Sequence, residues 1–394
     1  MFSNVLVQTP QELVYELDPK GIQRVKYTPL GWNYWMWEGK RIHYIEAGEQ
    51  GKPVVVLVHG YGASSYHWRY NIPALADAGY KVFSVDLLGF GFSEKALVDY
   101  TNGEVWVQQL SAFIDQVASP ASPSDVESAE GSGVSAHGPQ VVLVGNSLGG
   151  FASLATGAEH PEQIRAVALV NGAGPFASAE PAVEPVPTLF EDLKKNVYTF
   201  GKKLVLRVAF ERAKQPQQIK EVLSLVYVNK GQLDADLVAS IVNPALDPQA
   251  SEVFFLVNNS TKPPVTVNTL LSKLRVPLLL LWGDLDPWIV PERALKIKAL
   301  YPSAVKVGLA SGHCPQDDSP LEANSALIGW LDGLKTSHQY YSTILRQNFA
   351  TFREETDPER LAALFVRAHT DSAWIIKKFA NGAKNNNFVT PRQQ

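Results

Sequence analysis

Apolar and polar residues alternate from Trp35 to Ala47 around Glu38-Gly39, and this period of two predicts a hairpin of edge strands. Val54-Val55-Val56-Leu57-Val58 has no polar member, as expected of a strand covered on both faces. Similar short runs recur at Lys81–Asp86, Val141–Gly145, Ala166–Asn171, Pro277–Trp282 and Ala304–Leu309. Between most of them apolar residues return at helical spacing, as from Val105 to Val117 and from Phe151 to Glu159. Strands alternating with helices predict an α/β fold with a doubly wound, mostly parallel sheet.

Three segments break the alternation. Residues 118–138 are rich in Ser, Pro, Gly, Ala and acid, and read as a mobile surface loop inserted before a strand. Residues 174–269 hold proline-rich connectors, an amphipathic stretch from Leu189 to Phe210 and further helical pattern from Ile219 to Val242. An insertion of this size after a central strand reads as a helical cap. The tail, 335–394, carries helical pattern at Ser337–Thr351 and Pro358–Ala380 and an end expected to be disordered. The expected core is therefore 35–173 with 270–334, preceded by an extension over 1–34. No internal repeat is visible.

Composition narrows the function classes. The 394 residues are 45% hydrophobic and 19% charged, which suits one large α/β domain with elaborations. A net charge of -4 supplies no basic field for nucleic acid. A lone cysteine, Cys314, excludes an internal disulfide framework and a cysteine-based zinc site. No apolar run approaches the roughly 18–20 residues of a membrane span. The first residues have neither an apolar signal core nor the acid-poor, Arg-rich character of a transit peptide.

The chemistry starts at Val141-Val142-Leu143-Val144-Gly145-Asn146-Ser147-Leu148-Gly149-Gly150. A buried strand runs into a sharp turn with Ser147 at its apex, and helix-forming sequence follows. Gly145 and Gly149 relieve the crowding at such a turn by having no Cβ. A serine hydroxyl needs a base, and the base an orienting acid. His313, in Ala310-Ser311-Gly312-His313-Cys314-Pro315, lies just beyond the last strand. Leu281-Trp282-Gly283-Asp284-Leu285-Asp286-Pro287 offers two acids, and Asp286 has the spacing of a loop that turns back toward the histidine. The backbone N–H groups of Leu148, after the serine, and of Tyr61, in His59-Gly60-Tyr61-Gly62, are candidates to bind an oxyanion.

Each piece also has a purely structural reading. A Gly-x-Ser-x-Gly string can be a tight turn, His59 can hold its own turn, and Asp286 before Pro287 can start one. Asp86, Gly89, Gly91 and Ser93 form a glycine-rich loop without the lysine of a phosphate cradle, and read as a structural loop near the site. The order of serine, acid and base after successive strands favours the functional reading of the set.

These strings, with His59 to Pro73, Asp86-Leu87-Leu88-Gly89-Phe90-Gly91-Phe92-Ser93 and Trp282 to Trp288, carry a family likeness. From about Trp35 to Leu334 the chain resembles the α/β-hydrolase superfamily, and within it the plant and algal chloroplast branch related to pheophytinase and chlorophyll dephytylase. The resemblance implies a cofactor-free carboxylic-ester hydrolase with the triad Ser147, Asp286 and His313. It also implies a chloroplast location, with the cytoplasm as the alternative. Haloalkane dehalogenases and epoxide hydrolases of the superfamily use an aspartate where this chain has Ser147.

The expected substrate is a bulky or long apolar ester, such as a pigment phytyl ester or a lipid-like ester. Phe190, Tyr198, Phe200 and Trp288 are the candidates for its pocket. The basic residues Lys194, Lys195, Lys202, Lys203 and Arg207 suit a solvated face or a peripheral membrane contact. A ligand sensor that recruits a protein through the C-terminal extension is the alternative from another class. Perhydrolysis or C–C bond cleavage by the same residues is a further one.

Overall fold

The computed structural model describes residues 12–118, 141–177, 207–258 and 265–335. The 118–138 loop beyond Ala118, the first part of the expected cap and the tail beyond 335 lie outside these. The chain divides into two compact units, Met1–Ala326 and Leu327–Gln394; the described part of the second, residues 327–335, is helical.

Strands β1 (Tyr15–Leu17) and β2 (Gln23–Val25) pair antiparallel in a small ribbon of their own. The main sheet contains β3 (Asn33–Trp37), β4 (Lys40–Ala47), β5 (Val54–Val58), β6 (Lys81–Val85), β7 (Val141–Asn146), β8 (Ile164–Val170), β9 (Leu278–Gly283) and β10 (Val305–Leu309). Its spatial order is β10-β9-β8-β7-β5-β6-β4-β3. All neighbours run parallel except β3 with β4 and β4 with β6.

The β3–β4 hairpin turns at Glu38 (φ 48) and Gly39 (φ 75), the pair of positive φ angles that a two-residue hairpin turn requires. The expectation of two edge strands needs correction. Of the two hairpin strands only β3 is an edge, because β4 also pairs with β6, Tyr44 opposite Val85 and Ala47 opposite Val82. A period of two reports a half-buried face, and β4 can have one while being paired on both sides.

Helices cover the sheet. Among them are α1 (Asn71–Asp77), α2 (Glu104–Phe113), α3 (Leu148–Glu159), α4 (Pro216–Val226), α5 (Ala235–Ala245), α6 (Ala250–Val257), α7 (Val267–Lys273) and α8 (Pro291–Leu300), with a short turn α9 (Pro315–Asp318). α3 packs on β7 and β8, and α2 on α3. The core runs through Val56, Leu143, Leu169, Leu280 and Trp282, all buried. Each such aliphatic side chain contributes about 1.5–3 kcal/mol by leaving water.

Within the insert, α4 starts at Pro216, where the missing N–H costs no helical bond. Its buried positions Ile219, Leu223 and Val226 fall on one face and pack with Tyr227, Leu233 and Leu237. Asp234 caps α5, accepting the Leu237 N–H at 2.8 Å.

Because β5, β7, β8, β9 and β10 run parallel, the residues that follow each of them emerge at one edge of the sheet. His59 to Tyr61, Ser147, Asn171, Asp286 and His313 all follow such strand ends.

Candidate active site

Ser147 sits between β7 and α3 at φ 53 and ψ -116, in the positive-φ region that a side chain adopts only at a cost of about 1–3 kcal/mol. The surroundings hold it there. Its N–H donates to Val170 O at 3.0 Å, and its carbonyl accepts the N–H groups of Phe151 (3.1 Å) and Ala173 (2.9 Å). The glycines around it are required by space. A Cβ at Gly145 would lie 2.2 Å from Gly149 O, and one at Gly149 would lie 2.3 Å from Val58 O. The backbone before Tyr61 is equally close, because a Cβ at Gly60 would come within 3.2 Å of Ser147 Cβ.

Tyr61 and Leu148 therefore flank the serine, Tyr61 on the loop after β5 and Leu148 at the first position of α3. The first N–H groups of a helix have no intrahelical acceptor and carry the positive end of its dipole. That makes this corner suited to negative charge.

His313 Nδ1 lies 2.7 Å from Asp286 Oδ2, and both side chains are buried. Asp286 accepts four contacts in all. Its Oδ1 takes the N–H groups of Trp288 (2.8 Å) and Ile289 (3.0 Å), and its Oδ2 also takes the amide of Asn171 at 2.7 Å. Burial pushes this carboxyl up, but the His313 hydrogen bond and charge and the two N–H groups outweigh it, so the net direction is down. An ionised carboxylate only accepts, so the Nδ1 that faces Asp286 carries a proton and Nε2 points away from the acid. Asp284 plays no part in this pairing: it is exposed and lies 3.4 Å from Lys306 Nζ.

Asn146 joins the two halves, its amide donating to Val170 O and to His313 O, each at 3.0 Å. Sequence reasoning passed over Asn146 and Asn171. Both stand at the C-terminal ends of expected strands, and that position is the signal that could have found them.

His59 is fully buried and holds its own loop. Nδ1 reaches Gly60 O at 2.7 Å while Nε2 accepts the Leu87 N–H at 3.0 Å, and burial lowers its pKa. Asp86 is likewise structural. It accepts from Ser65 N (2.5 Å) and Phe92 N (2.6 Å) and meets His43 Nδ1 at 2.8 Å, while Gly91 leaves the room its carboxylate fills.

Among the described residues an apolar cavity of about 150 Å³ opens beside Tyr61, lined by Phe90, Phe210, Ile241, Pro244 and Phe254. Tyr61 packs edge-on against Phe90 and Phe254. Trp288 is half exposed, its ring centroid 5.4 Å from that of His313. Phe190, Tyr198 and Phe200 lie outside the described residues.

Comparison with known proteins agrees with this architecture. The chain is 27% identical over 341 residues to chloroplastic pheophytinase of Arabidopsis thaliana, covering 76% of this chain and 66% of that protein. It is 24% identical to Lipase 3 of Moraxella sp. (strain TA144), covering 84% of this chain and 92% of the lipase. The chain thus spans just under two thirds of the pheophytinase and most of the lipase. Epoxide hydrolases are also among its relatives. Among solved structures, a bacterial membrane phospholipase A superposes with a TM-score of 0.54 at 27% identity, covering 77% of this chain and 86% of that one. The family model described as the alpha/beta hydrolase fold matches residues 53–320, and the chain belongs to that family.

Proposed function

We propose that the protein hydrolyses a carboxylic ester through an acyl-enzyme, with Ser147 as nucleophile, His313 as base and Asp286 as the orienting acid. The observation that carries this reading is the Ser147 backbone, held at φ 53 on a turn whose neighbour Asn146 is bonded to the residue that Asp286 orients. His313 Nε2 takes the hydroxyl proton as Ser147 attacks, and Asp286 stabilises the imidazolium. The Tyr61 and Leu148 N–H groups bind the oxyanion, His313 protonates the leaving alcohol, and water repeats the cycle on the acyl-enzyme. A serine at this position gives an acyl-enzyme; epoxide opening through an alkyl-enzyme ester would call for a carboxylate there.

The substrate is apolar in this reading. The cavity beside Tyr61 is lined by carbon-rich side chains, and relatives named as pheophytinase, lipase and phospholipase support an ester with a bulky or long apolar arm. The chloroplastic relative supports a plastid setting. The test is intact-mass spectrometry after exposure to a fluorophosphonate, comparing wild type with Ser147→Ala. A single adduct lost in the variant is expected. A folded wild type that takes no adduct would overturn the reading and favour ligand sensing.

A further inference from the structure

We infer that Asp318 is a positioning residue for His313, locking the histidine loop and the insert turn 226–229 into one frame. The inference rests on the role proposed above for His313. Asp318 is buried, and its carboxylate is filled by donors from two loops. From the histidine loop, Oδ2 accepts the Gly312 N–H at 2.7 Å and the Ser311 hydroxyl at 3.1 Å. From the insert, Oδ2 accepts the Val228 N–H at 3.0 Å and Oδ1 the Asn229 N–H at 2.7 Å.

The backbones on either side of this carboxylate also touch. The His313 N–H donates to Val226 O at 2.9 Å, and a Cβ at Gly312 would lie 1.8 Å from that same oxygen. The neighbouring Asp317 repeats the arrangement with a different set of partners. It accepts the Tyr227 hydroxyl at 2.9 Å and the Arg69 Nε at 2.8 Å, and Arg69 reaches Asp234 in the insert at 2.8 Å through both carboxylate oxygens.

The turn 226–229 is therefore part of what holds the base in place. Replacing Asp318 by Asn keeps the volume but sets an N–H₂ against the N–H donors on one side of the carboxylate and removes its charge, so the frame between the histidine loop and the insert turn is broken on one side. A displacement of about 1 Å at a catalytic group costs about 10²-fold in rate, and substrate contacts are left alone.

The experiment measures ester turnover, fluorophosphonate labelling rate and thermal melting for wild type, Asp318→Asn and the milder Ser311→Ala. Support is a folded Asp318→Asn protein whose kcat and labelling rate fall together by about 10²-fold while KM stays within about threefold of wild type. A purely structural residue would lower the melting temperature and leave kcat of the folded fraction unchanged, and that result overturns the inference. Should Asp318→Asn fail to fold, Ser311→Ala decides, through a loss of kcat at unchanged melting temperature or no loss. A wild type that neither labels nor turns over removes the base itself, and is distinguished by occurring without any substitution.

Discussion

Asn171 Nδ2 lies 2.7 Å from Asp286 Oδ2, the same oxygen that meets His313 Nδ1. Through its Oδ1 Asn171 also accepts the Gly283 N–H at 2.8 Å, so one amide ties the end of β9 to the carboxylate beyond it. It does this from φ 44, a conformation that asparagine tolerates better than most side chains. The direction in which Asp286 faces is thus set by Asn171 and by the Trp288 and Ile289 N–H groups, independently of the histidine.

Two substitutions separate the amide from the backbone. Asn171→Gly accepts the positive φ but leaves a carboxylate and an N–H each short of a partner. A hydrogen bond to a charged group is worth about 1.5–3 kcal/mol, so kcat is expected to fall at least about tenfold. Asn171→Ala loses the same bonds and adds backbone strain, so it should melt below the glycine variant. An alanine variant that melts above it would show that the backbone at 171 is not strained.

Asp286→Asn should leave the fold intact and lower kcat by about 10⁴-fold, the loss that follows when a triad acid no longer fixes the tautomer of its histidine. Asp284→Asn removes only an exposed contact with Lys306, a kind of pair worth at most about 1 kcal/mol, and its kcat should match wild type. Steady-state kinetics on any ester that the wild type turns over distinguishes the two, and a larger loss at Asp284 would reverse the assignment.

The parallel strands and the serine turn were legible in the chain because both are local. An apolar run of four to six residues reports burial on two faces, and Gly145-Asn146-Ser147-Leu148-Gly149 carries its steric reason in its own glycines. The pairing of β4 with β6 was not legible, since strand order is a property of the whole sheet. Nor were the contacts of Asp318 with Val228, or of Arg69 with Asp317 and Asp234. These join residues far apart in sequence, and in composition they look like surface charges. The choice of Asp286 over Asp284 rested on loop spacing, and the geometry sets Asp286 against His313 for a reason that spacing alone did not contain, the amide of Asn171.

Gly60→Ala tests the oxyanion corner without replacing a side chain that reacts. The new Cβ would lie 2.9 Å from Asn146 Oδ1 and 3.2 Å from Ser147 Cβ, so the loop carrying the Tyr61 N–H must move away. Losing one oxyanion donor costs about 10²–10³-fold in kcat, and the expected loss lies within that range with little change in KM. Gly62, where φ is 70 but nothing lies within 4 Å, is the control for backbone strain in the same loop. Gly62→Ala should lower the melting temperature more than it lowers kcat. Equal kinetic losses in both variants would mean that loop strain, and not the position of the Tyr61 N–H, governs turnover.

Acid sensitivity should trace to Asp86. Burial pushes its carboxyl up, but His43, His59 and the Ser65 N–H more than offset this and hold it at about 2, against about 3.9 for an unfolded aspartate. A depressed folded pKa means that the unfolded chain binds the proton more readily. The contribution, about 2–3 kcal/mol, is therefore complete above pH ~4 and is lost as the pH falls toward ~2. Asp286 shifts in the same direction and adds to the slope. Urea midpoints for wild type and Asp86→Asn at pH 7 and pH 3 provide the check. The variant should be less stable at pH 7, since Asn cannot accept from Ser65, Phe92 and His43 together. It should also lose less than wild type on acidification. Parallel losses in the two proteins would place the acid-labile group elsewhere in the fold.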